Sequence, residues 1–244
     1  MRALTGLDIL RIWEVAQSQR PIDRALAMLC CALPDRSAAE LAALPVGQRD
    51  TLLFKLREQL IGPVLRSTTQ CPGCGAKIDS VAPGFSFQTH ASSGSAAPRE
   101  LLFRDYRVEF RLPDSRDVAA MGSCANQKAA VRVLLSRCVI AAERGGSPLA
   151  SANLPEEVIA ELAAVMAELD PQGEILLSLH CPGCGHEWNG ILEIAAFFFI
   201  ELSGLVRRLV REVHTIAQAY GWREPEILAM SSQHRQLYLE LVGA

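Results

Sequence analysis

Across residues 47–61 the apolar side chains Leu52, Leu53, Leu56 and Leu60 return every three or four positions, which gathers them on one face of a helix, and Gly62-Pro63 ends the run. The same period runs through residues 5–32, where Arg20-Pro21 interrupts it, because proline lacks the N–H that a helix interior needs. Ser37 and Glu40 stand three apart as a capping box and open a short helix that stops at Pro45. The first quarter of the chain therefore reads as helical.

Beyond it the pattern changes. Residues 77–81 (KIDSV) read as a strand, and residues 83–98 (PGFSFQTHASSGSAAP), small and rich in breakers, read as a mobile loop. Tyr106, Val108, Phe110 and Leu112 alternate within residues 101–112, as in a strand with one wet face, and Pro113 stops it. Helices fit residues 114–121 and 126–144, the second with the stripe Val131, Leu134, Leu135, Cys138 and Gly145-Gly146 as its stop. A third fits 154–169, with Asn153 as its cap and Glu156 in the capping-box position. Residues 175–179 (ILLSL) form a short apolar strand. From residue 190 on, Leu202, Leu205, Leu209, Val213 and Ile216 line one side of a long helix, with Arg207, Arg208 and Arg211 elsewhere on it. Gly221 ends that helix; a short one over 224–230, a break at Ser231-Ser232 and a final helix bearing Tyr238, Leu239 and Leu241 complete the chain.

With 244 residues, half of them hydrophobic, the chain can bury a sizeable core. Its longest apolar run, residues 194–200 (IAAFFFI), is far short of the ~20 residues that cross a bilayer. Its N-terminus has acidic residues and no secretory pattern, so a cytoplasmic location without a membrane is expected. A net charge of −3 supplies no field that would draw it to nucleic acid.

Four of the eight cysteines lie in one repeated pentapeptide, CPGCG, at 71–75 and again at 181–185. Cys-x-x-Cys followed by glycine turns two sulfurs toward one point, and backbone N–H groups in such a turn can offset thiolate charge. Zinc takes four ligands in a tetrahedron, so two half-sites in one chain make one site of Cys71, Cys74, Cys181 and Cys184, holding one zinc per chain. Iron is the alternative metal, and a redox dithiol the alternative chemistry; a strand after the first knuckle does not suit the latter, which joins a strand to a helix. His180 and His186 flank the second knuckle and are read as solvated or supporting side chains, because four thiolates already fill the set. Cys30, Cys31 and Cys138 read as packing residues, and Cys124 has no evident place.

The segment between the knuckles then becomes an insert, and the pentapeptides a clasp across it. Loop closure grows only logarithmically with length, so such an insertion is tolerable. The expected fold is α+β and mainly helical: an N-terminal helical region over 1–66, a split four-cysteine ribbon over 67–82 and 174–193, an inserted small α/β subdomain over 99–173, and a C-terminal helical hairpin region over 194–244.

The stretch EVHTIAQAYGWREPEILAMSSQHRQLYLELV, with LSLHCPGCGHEW, RVEFRLPDSRDVAAM and LLSRCV before it, resembles the baseplate hub-assembly chaperone family of contractile-tailed phages. LPVGQRDTLLFKLREQLIGP fits the members found in phage-derived contractile injection systems. Paired CPGCG knuckles do not define the family, so metal binding is read from this sequence alone. The resemblance implies a protein that binds hub or spike subunits of a contractile baseplate. An enzyme is not expected: no nucleophile–base pair, phosphate loop or H-E-x-x-H helix is present, and His214 beside Glu212 has nothing converging on it. The second reading is a zinc-ribbon adaptor for nucleic acid, for which the knuckles offer only Lys77, His180, His186 and Trp188 among acidic residues. Arg207, Arg211, Tyr220, Trp222, His234 and Tyr238 are the expected partner-binding residues, since arginine and aromatic side chains concentrate interface energy.

Overall fold

The structure is a computed structural model that describes residues 4–83 and 98–243. The N-terminal quarter forms four helices, α1 (Gly6–Gln17), α2 (Arg24–Ala32), α3 (Ala38–Ala42) and α4 (Val46–Ile61). Thr5 caps α1 and Ser37 caps α3, each in a reciprocal box with the acid three residues on, Asp8 and Glu40. A single 3-10 turn, Pro21–Asp23, replaces the helix where proline was expected to break it.

A strand that was not expected follows directly. Residues before the first knuckle form β1 (Val64–Gln70), paired antiparallel with β2 (Lys77–Pro83). The polar run Arg66–Gln70 shows little apolar alternation, because this strand has almost no buried face.

The segment between the two pentapeptides, called the insert below, carries a four-stranded antiparallel sheet in the order β3-β4-β5-β6. Here two expectations are corrected. The single strand over 101–112 is a hairpin, β3 (Arg99–Phe103) and β4 (Tyr106–Phe110), whose turn holds Arg104 at φ 54. An arginine in a conformation that usually calls for Gly or Asn hid the turn. The helix over 126–144 ends at Cys138: α6 is Gln127–Cys138, and Val139–Arg144 is β5, drawn into the sheet by pairing with β4. β6 is Ser147–Pro148, and α5 (Ser115–Met121) lies between β4 and α6. Helix α7 (Glu156–Leu169) starts at a cap filled by Pro155; Asn153, expected there, closes a 3-10 turn instead. The sheet and helices share a core of their own around Val108, Phe110, Cys138's neighbour Leu135, Val158 and Leu162.

The chain returns through β7 (Leu176–His180) and β8 (Glu187–Ile191) into α8 (Ile194–Tyr220), α9 (Glu224–Ala229) and α10 (Ser232–Gly243). Ile194, Phe198 and Leu202 of α8 enter the core formed by Ile12, Met28, Leu29, Leu53 and Phe54 of the N-terminal helices. Farther along, Leu209, Val213 and Ile216 pack with Ile227 and Leu228 of α9 and with Leu10 of α1. The fold is α+β and mainly helical, and α8 is the spine that joins both ends of the chain.

Charged groups are buried at the joints. Arg57, 1% exposed, forms parallel bonds of 2.7 Å to both carboxylate oxygens of Glu201 and also donates to the carbonyls of Gly62 and Val64. It thereby ties α4, the root of β1 and α8 together. At the joint with the insert, Val46 donates to the Pro113 carbonyl and the Gly47 N–H donates to Asp170 at 2.8 Å. A Cβ on residue 47 would stand 2.0 Å from the Asp170 carboxylate, so only glycine permits this approach. Inside the insert, buried Asp117 accepts from Arg111, Arg137 and the Asp114 N–H, while Asp114 caps α5. Residues 107–121 (RVEFRLPDSRDVAAM) therefore owe much of their pattern to a buried ion network.

Candidate metal centre

Each pentapeptide sits at the tip of a two-stranded hairpin, and the two tips are built alike. Gln70 pairs with Lys77 before the first loop, and His180 with Glu187 before the second. In each loop the first cysteine donates its N–H across the tip, Cys71 to Ala76 and Cys181 to His186, both at 2.9 Å. Gly75 and Gly185 then donate back to the carbonyls of Cys71 and Cys181 at φ 74 and 73, a left-handed conformation that a Cβ disfavours. The repeated glycine is thus a requirement of the turn.

The tips meet so that ligands cross between hairpins. Cys71 Sγ lies 3.7 Å from Cys184 Sγ, and Cys74 Sγ lies 3.7 Å from Cys181 Sγ. All four sulfurs fall within 4.8 Å of one another. A tetrahedron with Zn–S arms of about 2.3 Å has edges of about 3.8 Å, so the two cross-hairpin separations fit one ion. Cys71 and Cys181 are buried, Cys74 and Cys184 exposed, so each hairpin brings one inner and one outer sulfur.

Proton affinities within the set conflict. Burial raises the Cys181 thiol, but the N–H groups of Cys184 and Gly183 and the facing thiols of Cys71 and Cys184 overcome this and bring it down to about 6. The His186 N–H favours the Cys184 thiolate, yet the facing sulfurs of Cys74, Cys181 and Cys71 outweigh it and push that thiol up to about 12. The set thus releases one proton readily and holds another through the hydrogen bonds between its sulfurs and through burial.

Packing points the same way. Among the described side chains of residues 64–83 and 176–191, the buried ones are Leu65 at the root and Cys71 and Cys181 at the tip. Two short hairpins with so little apolar interior need a staple, and a metal is one of the few available. The flanking histidines are not aimed at the sulfurs: His180 faces Glu187 at 3.7 Å, both exposed, and His186 stacks on Trp188 with ring centroids 5.9 Å apart.

The residues expected to bind a partner lie elsewhere and fall into two groups. Tyr220 and Trp222 stack at 4.9 Å, Tyr238 meets both edge-on at 5.4 and 4.8 Å, and His234 lies 5.2 Å from Tyr238. This aromatic cluster joins the end of α8 to α10. Arg207 and Arg211 are exposed on α8 and take no part in it. The ion pairs Arg57–Glu201 and Arg235–Glu212 escaped the sequence reading, although Arg57 among leucines and Glu201 inside FFFIELSG are charges set in apolar runs.

The described residues thus form a mainly helical α+β chain whose two hairpin tips bring four sulfurs close enough to hold one metal ion, and in which no helix is long and apolar enough to cross a membrane. The chain belongs to the T4 bacteriophage base plate protein family, whose model matches residues 16–199. That membership gives it a structural or assembly role in a phage baseplate. The match spans both knuckles and the insert and ends within α8, so residues 200–243 stand outside it. Searches of curated proteins and of solved structures gave no match.

Proposed function

We propose that the chain is a zinc-stabilised, non-enzymatic baseplate protein that acts by binding hub or spike subunits as the baseplate is assembled in the cytoplasm. The observation that carries this reading is the closed four-sulfur cluster in a chain of the baseplate family. Four thiolates fill a tetrahedral ion and leave no open position for substrate or water, so the metal stabilises structure and does no chemistry. Its work is to fix the root of α8 against the N-terminal helices by joining the hairpin before it to the hairpin after α4. The 99–173 segment is taken as a unit carried between the two halves, and the C-terminal helices, with Arg207, Arg211, Tyr220, Trp222, His234 and Tyr238, as the region that meets the partner.

Native mass spectrometry of the full chain, with metal analysis, followed by pull-down of co-expressed hub and spike subunits, tests both parts. One zinc per chain and capture by wild type but not by Cys181→Ser are expected. Two metals per chain, or capture unchanged in a metal-free variant, would defeat the reading.

A further inference from the structure

Helix α8 carries two carboxylates and three arginines, and the structure spends them unequally. Glu201 is bound by Arg57 of α4, and Glu212 by Arg235 of α10 at 2.9 Å. Both acids are thus consumed by arginines from other elements. Arg207, Arg208 and Arg211 are exposed, and among the described residues none of them makes an ion pair. A chain of net charge −3 therefore holds three uncompensated positive charges within two turns of its central helix.

Arg207 and Arg211 continue a stripe that is apolar at its other end, with Arg208 beside it. Ala196, Ile200, Gly204, Arg207 and Arg211 follow at steps of four, four, three and four, opposite the buried row Leu202, Leu209, Val213 and Ile216. Ile200 is 72% exposed, and a Cβ on Gly204 would meet nothing within 4 Å. The stripe thus has an apolar knob, a gap where another backbone could come close, and then a cluster of guanidinium groups.

We infer that the outward face of α8 docks an acidic amphipathic helix of a protein partner. An apolar side chain of that helix sits over Ile200, and its carboxylates lie about 10 to 16 Å further along, opposite Arg207 and Arg211, at 1.5 Å of rise per residue. Charge complementarity selects this occupant, since planar guanidinium groups pair bidentately with carboxylates. The inference rests on the C-terminal helices being the partner surface and adds what the partner must look like. It moves the contact from the aromatic cluster, whose rings are engaged with one another, to the free arginines.

The test replaces Ile200 with the photo-crosslinker benzoylphenylalanine in cells producing the assembled baseplate, and sequences the crosslinked peptide. A peptide from another protein, with Asp or Glu two to three helical turns from the crosslink, is expected. Arg207→Glu, Arg208→Glu and Arg211→Glu together should weaken that association at least tenfold with an unchanged melting temperature, and charge reversal of the partner's acids should restore it. A crosslink to nucleic acid, to a second copy or to a peptide without acids overturns the acidic-helix inference alone. A second variant carries the photo-crosslinker at Tyr238: a crosslink there with none from position 200 overturns the acidic-helix inference alone, and none from either position overturns the partner surface as well.

Discussion

Arg57 and Glu201 meet across 144 residues of sequence in a two-pronged bridge, with the arginine almost wholly out of water. Removing one member of a buried pair leaves the other charge unpaired, at a cost of about 3 to 5 kcal/mol. Glu201→Gln should therefore lower stability by that amount, and the melting temperature by roughly 10 °C for a chain of this size. Chemical denaturation checks it; a loss under about 1 kcal/mol would mean that the carbonyls of Gly62 and Val64 satisfy the guanidinium unaided.

Cys184→Ser should abolish stoichiometric zinc and destabilise the chain far more than Cys138→Ser, because a structural zinc contributes on the order of 10 kcal/mol of binding free energy. Cys138 is buried beside Asp117, and burial, with that carboxylate's charge, pushes its thiol up to about 12. It stays protonated and does not compete for metal. Metal analysis and thermal melting of the two variants decide the matter, and equal melting temperatures would refute the clasp.

Asp50 gives a pH dependence with a definite sign. Burial pushes its carboxyl up to about 6, against the favourable charge of Arg49. The unfolded value is about 3.9, so between pH 4 and 6 the folded state binds the proton more tightly and stability falls as pH rises, by on the order of 2 to 3 kcal/mol. Asp50→Asn removes that dependence. Its stability relative to wild type should improve by this amount from pH 4 to pH 8 in urea titrations; a constant difference would show that Asp50 titrates normally.

Asp117 has the opposite sign. Burial opposes its charge, but bonds from Arg111, the Asp114 N–H and Arg137 hold its carboxyl well below the usual range. Its contribution is complete above about pH 4 and is lost only as pH falls through the lower folded value. Asp117→Asn should cost about 1 to 3 kcal/mol at pH 7, since it weakens the charge-assisted bonds of two partly exposed arginines. Hydrogen exchange should show the loss in α5 and the start of β5.

The elements most legible in the sequence were those with local causes. The capping box at Ser37–Glu40, the stops at Gly62 and Gly221, and the α8 stripe all follow from side chains within a turn or two. The four cysteines stood out because identical spacing implies identical local geometry. What escaped depends on partners distant in sequence. Val139–Arg144 continues a helical pattern and becomes strand only because β4 offers an edge. β1 has almost no apolar face to announce it. The Arg104-Asp105 turn has no glycine or asparagine where the backbone turns left-handed. The loop expected over 83–98 falls largely outside the described residues.

The crossed pairing of sulfurs also sets an order of events during synthesis. At roughly 5 to 20 residues per second, the ribosome takes about 5 to 20 s to make residues 75–180 after Cys74 has emerged. Through that interval the first hairpin presents only half a coordination shell, too few donors to hold an ion firmly, while the insert, with a separate core, has time to collapse. Capture of an ion by the proposed site would then report that Cys184 has been reached, a late checkpoint that the segment between the two pentapeptides has been made in full.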